Sequence, residues 1–259
     1  MATPGAGLAL FFSAHLDDAV FSCGGTLSLL HRQGWCTIVA TVCTEAAENW
    51  RGELAQHFNL AGAATVEAGL ARRRDEDRRA ARVLGFLPWH LGLFDASFRQ
   101  HYIRLPASAS VFVDPAVAGD DPYRVEVAET VLGCIDRLQP DVVFAPAGAG
   151  GHVDHLLVRD ACIEYARPAP AKVVWYQDLP YALANPDAAA IGLPGDARSG
   201  ISVFDPIDLQ HKCDASATYT SQLHYFPSPD WRGALERQAH GWGTDDPGER
   251  VWRAGGPGC

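Results

Sequence analysis

Short apolar runs alternate along the chain with longer stretches in which apolar residues recur every three or four positions. Residues 8–13 form an apolar run that stops at a polar cluster, as a buried parallel strand does. Residues 36–43 are rich in β-branched side chains, and 90–94, 141–145, 173–177 and 201–204 read as further short strands. Between them, helical periodicity covers 19–33, 63–84, 124–138, 153–166 and 208–223. Gly34, Gly85 and Pro140 supply the stops for the first three. Strand and helix in alternation predict βαβ units, and so an α/β fold on a mostly parallel sheet. Two stretches, 95–122 and 178–200, lack a period and read as rim loops. The Gly- and Pro-rich tail after Gly241 reads as loosely docked. No repeat or linker divides the chain, which predicts one domain over residues 1–259.

Composition narrows this picture. The chain is 47% hydrophobic and 20% charged, enough to bury a sizeable core, and it is neither disordered nor collagen-like. The net charge of -10 argues against nucleic-acid binding or a polybasic membrane anchor, both of which need positive surface. Lysine occurs only at 172 and 212, and no function is read from that scarcity. Seven cysteines without a CxxC pair, with Cys23, Cys36, Cys43, Cys134 and Cys162 in apolar surroundings, read as free buried thiols in a reducing compartment, not as a zinc-thiolate site. The N-terminus has no basic n-region, and the apolar run at 8–14 is too short for a signal sequence or a membrane span. These features predict a cytoplasmic protein.

Two clusters carry the chemistry. The first is Ser13-Ala14-His15-Leu16-Asp17-Asp18-Ala19, directly after the first strand. Ligands of open parallel sheets bind at the carboxyl ends of strands, so a histidine and two carboxylates there occupy an active-site position. Adjacent carboxylates on an apolar strand end need a shared cation or hydrogen-bond donors. The plain alternative is a helix N-cap built on Asp. The second cluster is Gly150-Gly151-His152-Val153-Asp154-His155, after the strand at 141–145. Alone it reads equally as a capped helix start. Together the clusters place three His and three Asp at one sheet edge. Two His and one carboxylate, with a position left for water, make a catalytic zinc pattern.

The paired motifs resemble those of the GlcNAc-PI de-N-acetylases, the PIG-L or LmbE-like deacetylases. The first is usually written (A/P)HPDDE and reads Ala14-His15-Leu16-Asp17-Asp18-Ala19 here; the second, HPDH or HxxH, reads His152-Val153-Asp154-His155. Weaker echoes are Arg73-x-x-Glu76 with Ala80 and Leu84-Gly85, then Leu91-Gly92-Leu93-Phe94-Asp95, the strand at 141–145, and Lys212, Ala215, Tyr219 and Ser221-Gln222. Leu16 stands for the usual Pro, and Ala19 for the usual Glu, whose support another residue would have to supply.

The resemblance implies a Rossmann-like three-layer sandwich with the active site at the carboxyl ends of its strands. It implies one Zn²⁺ on His15, Asp18 and His155, with Asp17 as general base on the attacking water. His152, protonated, would stabilise the oxyanion, and Asp154 would hold that imidazole. Arg73 and Asp95 match substrate-binding positions. The implied reaction is removal of an N-acetyl or other N-acyl group from a glucosaminyl-type small molecule or glycosylated natural product. Three rivals stand beside it: an amidase on a non-sugar N-acyl conjugate, a non-haem iron oxygenase using His15, Asp17 and a distant His, and a non-catalytic binding protein. The iron triad normally sits on an all-β jelly roll, which the alternation of strand and helix disfavours.

Overall fold

A computed structural model describes residues 7–46, 65–99, 111–114, 118–166, 172–184 and 192–254. Its strands are β1 (Leu8–Ser13), β2 (Cys36–Glu45), β3 (Leu87–Phe94), β4 (Val142–Pro146), β5 (Val173–Tyr176), β6 (Arg198–Val203) and β7 (Gly248–Arg253). Its α-helices are α1 (Asp18–Arg32), α2 (Val66–Leu84), α3 (Arg124–Leu138), α4 (Val153–Ala166), α5 (Tyr181–Ala184), α6 (Pro206–Ser216) and α7 (Trp231–His240). The start of the helix expected at 63–84 and much of both expected rim loops fall outside the described residues.

All seven strands join one sheet in the order β3-β2-β1-β4-β5-β7-β6. From β3 to β5 every pairing is parallel, and β7 runs antiparallel to both its neighbours. The alternation of side chains along β1 divides the core in two. Ala9 and Phe11 enter one apolar cluster, while Leu10 and Phe12 enter the other. Phe11 stacks on Phe144 of β4, with ring centroids 4.2 Å apart. Helices α1, α2, α6 and α7 pack together on one face, and α3 with α4 on the other. This is the expected three-layer α/β arrangement. The strand order reverses between β1 and β4, and a ligand crevice opens at the carboxyl ends of strands at such a switch point.

Three expectations are corrected. The tail after Gly241 does not dock loosely: β7 lies inside the sheet, with Val251 in one core and Trp252 in the other. Its flanking glycine and proline and its charged Glu249 and Arg250 concealed a half-buried strand. The helix expected over 208–223 ends at Ser216, and α7 was not foreseen. Cys36 is exposed, whereas the other five described cysteines are buried; all six are free.

The scarce lysine has a structural role at one of its two positions. Lys212 of α6 is fully buried, and its Nζ donates to Glu249 Oε1 at 2.7 Å. Glu249 also accepts from the amides of Gly25 and Thr26 and from the Thr26 hydroxyl. Those amides follow a kink in α1 at Cys23, where the backbone leaves helical geometry. Gly24 permits the close crossing, since a Cβ there would meet Lys212 Cγ at 2.8 Å. Thus β7, α1 and α6 are tied at one buried charge pair. Lys212→Met leaves Glu249 buried without its cation and should cost about 3–5 kcal/mol of unfolding free energy. Denaturant unfolding checks this, and a loss below about 1 kcal/mol, the range of an exposed pair, contradicts it. None of the helices among the described residues is long and apolar enough to cross a membrane.

Candidate metal centre and active site

Both clusters open a helix at the carboxyl end of a central strand. β1 ends at Ser13, His15 and Asp17 stand in the turn that follows and Asp18 opens α1; β4 ends at Pro146, His152 stands directly before α4, and Asp154 and His155 lie in its first turn. Ser13 Oγ fixes the first turn by donating to the His15 carbonyl at 2.6 Å and accepting the Ala19 amide at 3.0 Å. The second turn is pinned from outside: Val113 N donates to the Gly151 carbonyl and Val153 N to the Val111 carbonyl. The N-cap alternative does not describe the first cluster. Asp17 occupies the cap position of α1 but its side chain makes no capping bond.

His15, Asp18 and His155 converge. Asp18 Oδ2 lies 3.3 Å from His15 Nδ1 and 3.2 Å from His155 Nε2. A tetrahedral ion with bonds near 2.1 Å spaces its ligand atoms by about 3.4 Å, so the separation of each nitrogen from Asp18 Oδ2 suits a zinc-sized cation. His155 Nε2 is buried and makes no hydrogen bond, which a ligand atom would explain. The remaining ring nitrogens are oriented by carboxylates. His155 Nδ1 meets Asp178 Oδ1 at 2.6 Å, and His15 Nε2 meets Asp154 Oδ2 at 3.0 Å. Such outer carboxylates set the tautomer and raise ligand basicity. Two other groupings among the described residues bring one ligand atom from each residue within 4.8 Å of the others: His15, His152 and His155, and His15, Asp95 and Asp154.

The electrostatics favour a cation. Asp18, Asp95, Asp154 and Asp178 are all buried here, against the guanidinium groups of Arg73 and Arg99. Burial pulls the His155 imidazole down, but Asp18 and Asp178 outweigh it and carry its pKa up to about 10. Burial is likewise outweighed at His15, which Asp95, Asp154 and Asp18 hold well above its usual value. Both histidines therefore keep a proton at neutral pH without metal, and a metal must displace it. Burial and the neighbouring Asp18 push the Asp17 carboxyl up to about 7, while Arg73, His15 and His155 pull the other way. Arg73 Nη2 stands 3.7 Å from Asp17 Oδ1.

Asp154 does not hold His152. Its carboxylate accepts the Ala96 amide, pairs with Arg99 and faces His15. His152 precedes α4 and bridges to Phe112, whereas Asp154 lies in the first turn of the helix and faces His15 and Arg99. Nor is His152 protonated: burial and the charge on His15 lower its pKa to about 3. Its Nδ1 accepts the Asp154 backbone amide at 3.2 Å, which leaves the proton of the neutral ring on Nε2.

A cavity of about 330 Å³ joins these groups. His15, Asp17, Asp18 and His152 line it, together with both expected substrate-binding residues, Arg73 and Asp95. Arg73 is thus buried in the site and is not a surface ion pair of a charged helix face. The lining also has an aromatic part, with Phe112, Tyr181 and Tyr225. Phe112 packs edge-on against both His152 and Tyr181. Gln222 completes the lining and is placed by Glu76 of α2, which accepts from Thr220 and from the Ser221 amide and hydroxyl. The echoes at Glu76, Tyr219 and Ser221 are therefore scaffold ties; Tyr219 OH donates to Asp77. Ala19 packs in the core. Asp178 and Arg99 were not found from sequence. Asp178 sits just past β5, so the strand-end rule that located the two clusters reaches it as well.

Residues 10–166 match the PIG-L family, GlcNAc-PI de-N-acetylase. The 2'-N-acetylparomamine deacetylase of Streptomyces fradiae is 35% identical over 221 residues, 83% of this chain and 74% of that protein. Among solved structures, the zinc-inhibited form of teicoplanin deacetylase Orf2 superposes with a TM-score of 0.79 at 27% identity, covering 95% of this chain and 97% of that one. The A40926 pseudoaglycone deacetylase Dbv21 gives 0.77 at 27% identity over 96% of each chain. The chain belongs to the PIG-L family of GlcNAc-PI de-N-acetylases.

Proposed function

We propose that the protein hydrolyses the N-acetyl group of an amino sugar within a glycosylated small molecule, using one zinc ion on His15, Asp18 and His155. One observation carries this reading: His155 Nε2, which makes no hydrogen bond, stands 3.2 Å from the Asp18 carboxylate, and Asp18 lines one open cavity with a second carboxylate, Asp17, whose pKa is raised to about 7. When bound, the metal supplies Lewis acidity, polarising the amide carbonyl and making water easier to deprotonate.

The side chains divide the remaining work. Asp17 accepts the proton of the attacking water; a base poised near neutrality suits that task. His152, neutral and carrying its proton on Nε2, donates a hydrogen bond to the oxygen that becomes negative. The proton held by Asp17 then passes to the nitrogen as the C–N bond breaks, giving acetate and a free amine. Arg73 and Asp95 bind hydroxyl groups of the sugar, and the wall of Phe112, Tyr181 and Tyr225 packs on its apolar faces or aglycone. The free cysteines suit a reducing compartment, and we place the protein in the cytoplasm.

The test is acetate release from 2'-N-acetylparomamine, from an N-acetylated glycopeptide pseudoaglycone and from a non-sugar N-acetyl amino-acid conjugate. Turnover of at least one glycoside, with the conjugate at least about tenfold poorer in kcat/KM (roughly 1.4 kcal/mol), is the expected result. Preference for the conjugate overturns the sugar assignment and favours the amidase alternative.

A further inference from the structure

Arg99 has no place in the reaction above, yet it is buried against the site. Its Nη2 pairs with Asp154 Oδ1, and its Nη1 lies 3.5 Å from Asp121 Oδ1. Its guanidinium covers the Tyr123 ring at 4.7 Å from the centroid. Only 5% of its side chain is exposed. Asp121 lies in the expected rim stretch and Tyr123 directly before α3, and they are themselves fixed: Asp121 accepts the Tyr123 amide, and Tyr123 OH accepts the Phe94 amide at 3.0 Å. On the other side, Asp154 spends its second oxygen on the Ala96 amide and on His15 Nε2.

We propose that Arg99 is a positioning residue that locks Asp121 and Tyr123 to the Asp154 carboxylate, and through it fixes the ring of the metal ligand His15. The inference rests on the metal reading above. Asp154 must hold one orientation to serve Ala96 and His15 together, and the planar fork of Arg99 occupies its other oxygen. A guanidinium can bridge two carboxylates while stacking on an aromatic ring; an ammonium supplies charge without that geometry. Removing Arg99 leaves Asp154 buried with one partner fewer, free to turn away from His15.

The experiment is zinc binding to the apo-protein by competition with a chromogenic chelator, with folding followed by near-ultraviolet circular dichroism. Partners that orient a metal ligand typically account for about 10–100-fold in metal affinity. Arg99→Met should bind zinc weaker by that factor, and Arg99→Lys should fall between it and the wild type. In an Asp154→Asn background, Arg99→Met should add no further loss, because both act through one contact. Equal zinc affinity in the wild type and Arg99→Met overturns the inference, as do losses that simply add. If Arg99→Met does not fold, Arg99→Lys decides: wild-type affinity there overturns the inference. Failure of the wild type to bind zinc overturns the metal reading itself, a result distinct from zinc bound alike by wild type and variant.

Discussion

Asp17→Asn should lower kcat for N-acetyl hydrolysis by about 10²–10⁴-fold, the usual contribution of a positioned acid–base group. Zinc content and fold should persist. The amide keeps the shape of the carboxylate but accepts no proton, so the attacking water loses its base and the departing nitrogen loses its acid. Asp17 is not among the atoms that converge on Asp18 Oδ2, so its replacement leaves His15 and His155 in place. The Arg73 guanidinium, 3.7 Å away, keeps its place in the cavity lining, so KM should move far less than kcat. Steady-state kinetics with zinc analysis checks both parts. A variant within threefold of wild-type kcat removes Asp17 from the role of base.

His155→Ala should abolish both zinc binding and turnover. It removes the nitrogen that stands 3.2 Å from Asp18 Oδ2 without a hydrogen bond, and it leaves Asp178 buried without its imidazole partner. The loss of zinc affinity should exceed the roughly 10–100-fold typical of a partner that only orients a ligand. The comparison that gives this prediction its edge is His152→Ala. The grouping of His15, His152 and His155 would also suit a metal by distance. If His152 acts on the oxyanion, its alanine variant keeps zinc and loses activity. Loss of zinc in His152→Ala but not in His155→Ala moves the centre to a different ligand set.

The two motifs were legible because both follow short apolar runs at the carboxyl ends of parallel strands. There the β1/β4 reversal brings residues 139 positions apart, such as His15 and Asp154, into contact. Less of the surrounding shell was legible. The family resemblance pairs Asp154 with His152, whereas in the fold its carboxylate turns to His15 and Arg99. Asp178 lies on a third strand end, in a segment with no motif of its own. Arg99 gains its meaning from Asp121 and Tyr123, residues contributed by a separate segment. β7 was hidden because its charged Glu249 faces the buried Lys212, so a polar residue stands where the alternation of a half-buried strand calls for an apolar one. Each miss involves a polar group whose partner lies far away in the chain, which local periodicity does not encode.

The most direct test of the account is to strip the protein with a chelator and restore zinc while following acetate release from an N-acetylated amino-sugar glycoside. The account predicts no turnover in the stripped protein and recovery that saturates at about one zinc per chain, as a three-ligand catalytic site requires. Undiminished acetate release from metal-free protein would contradict it.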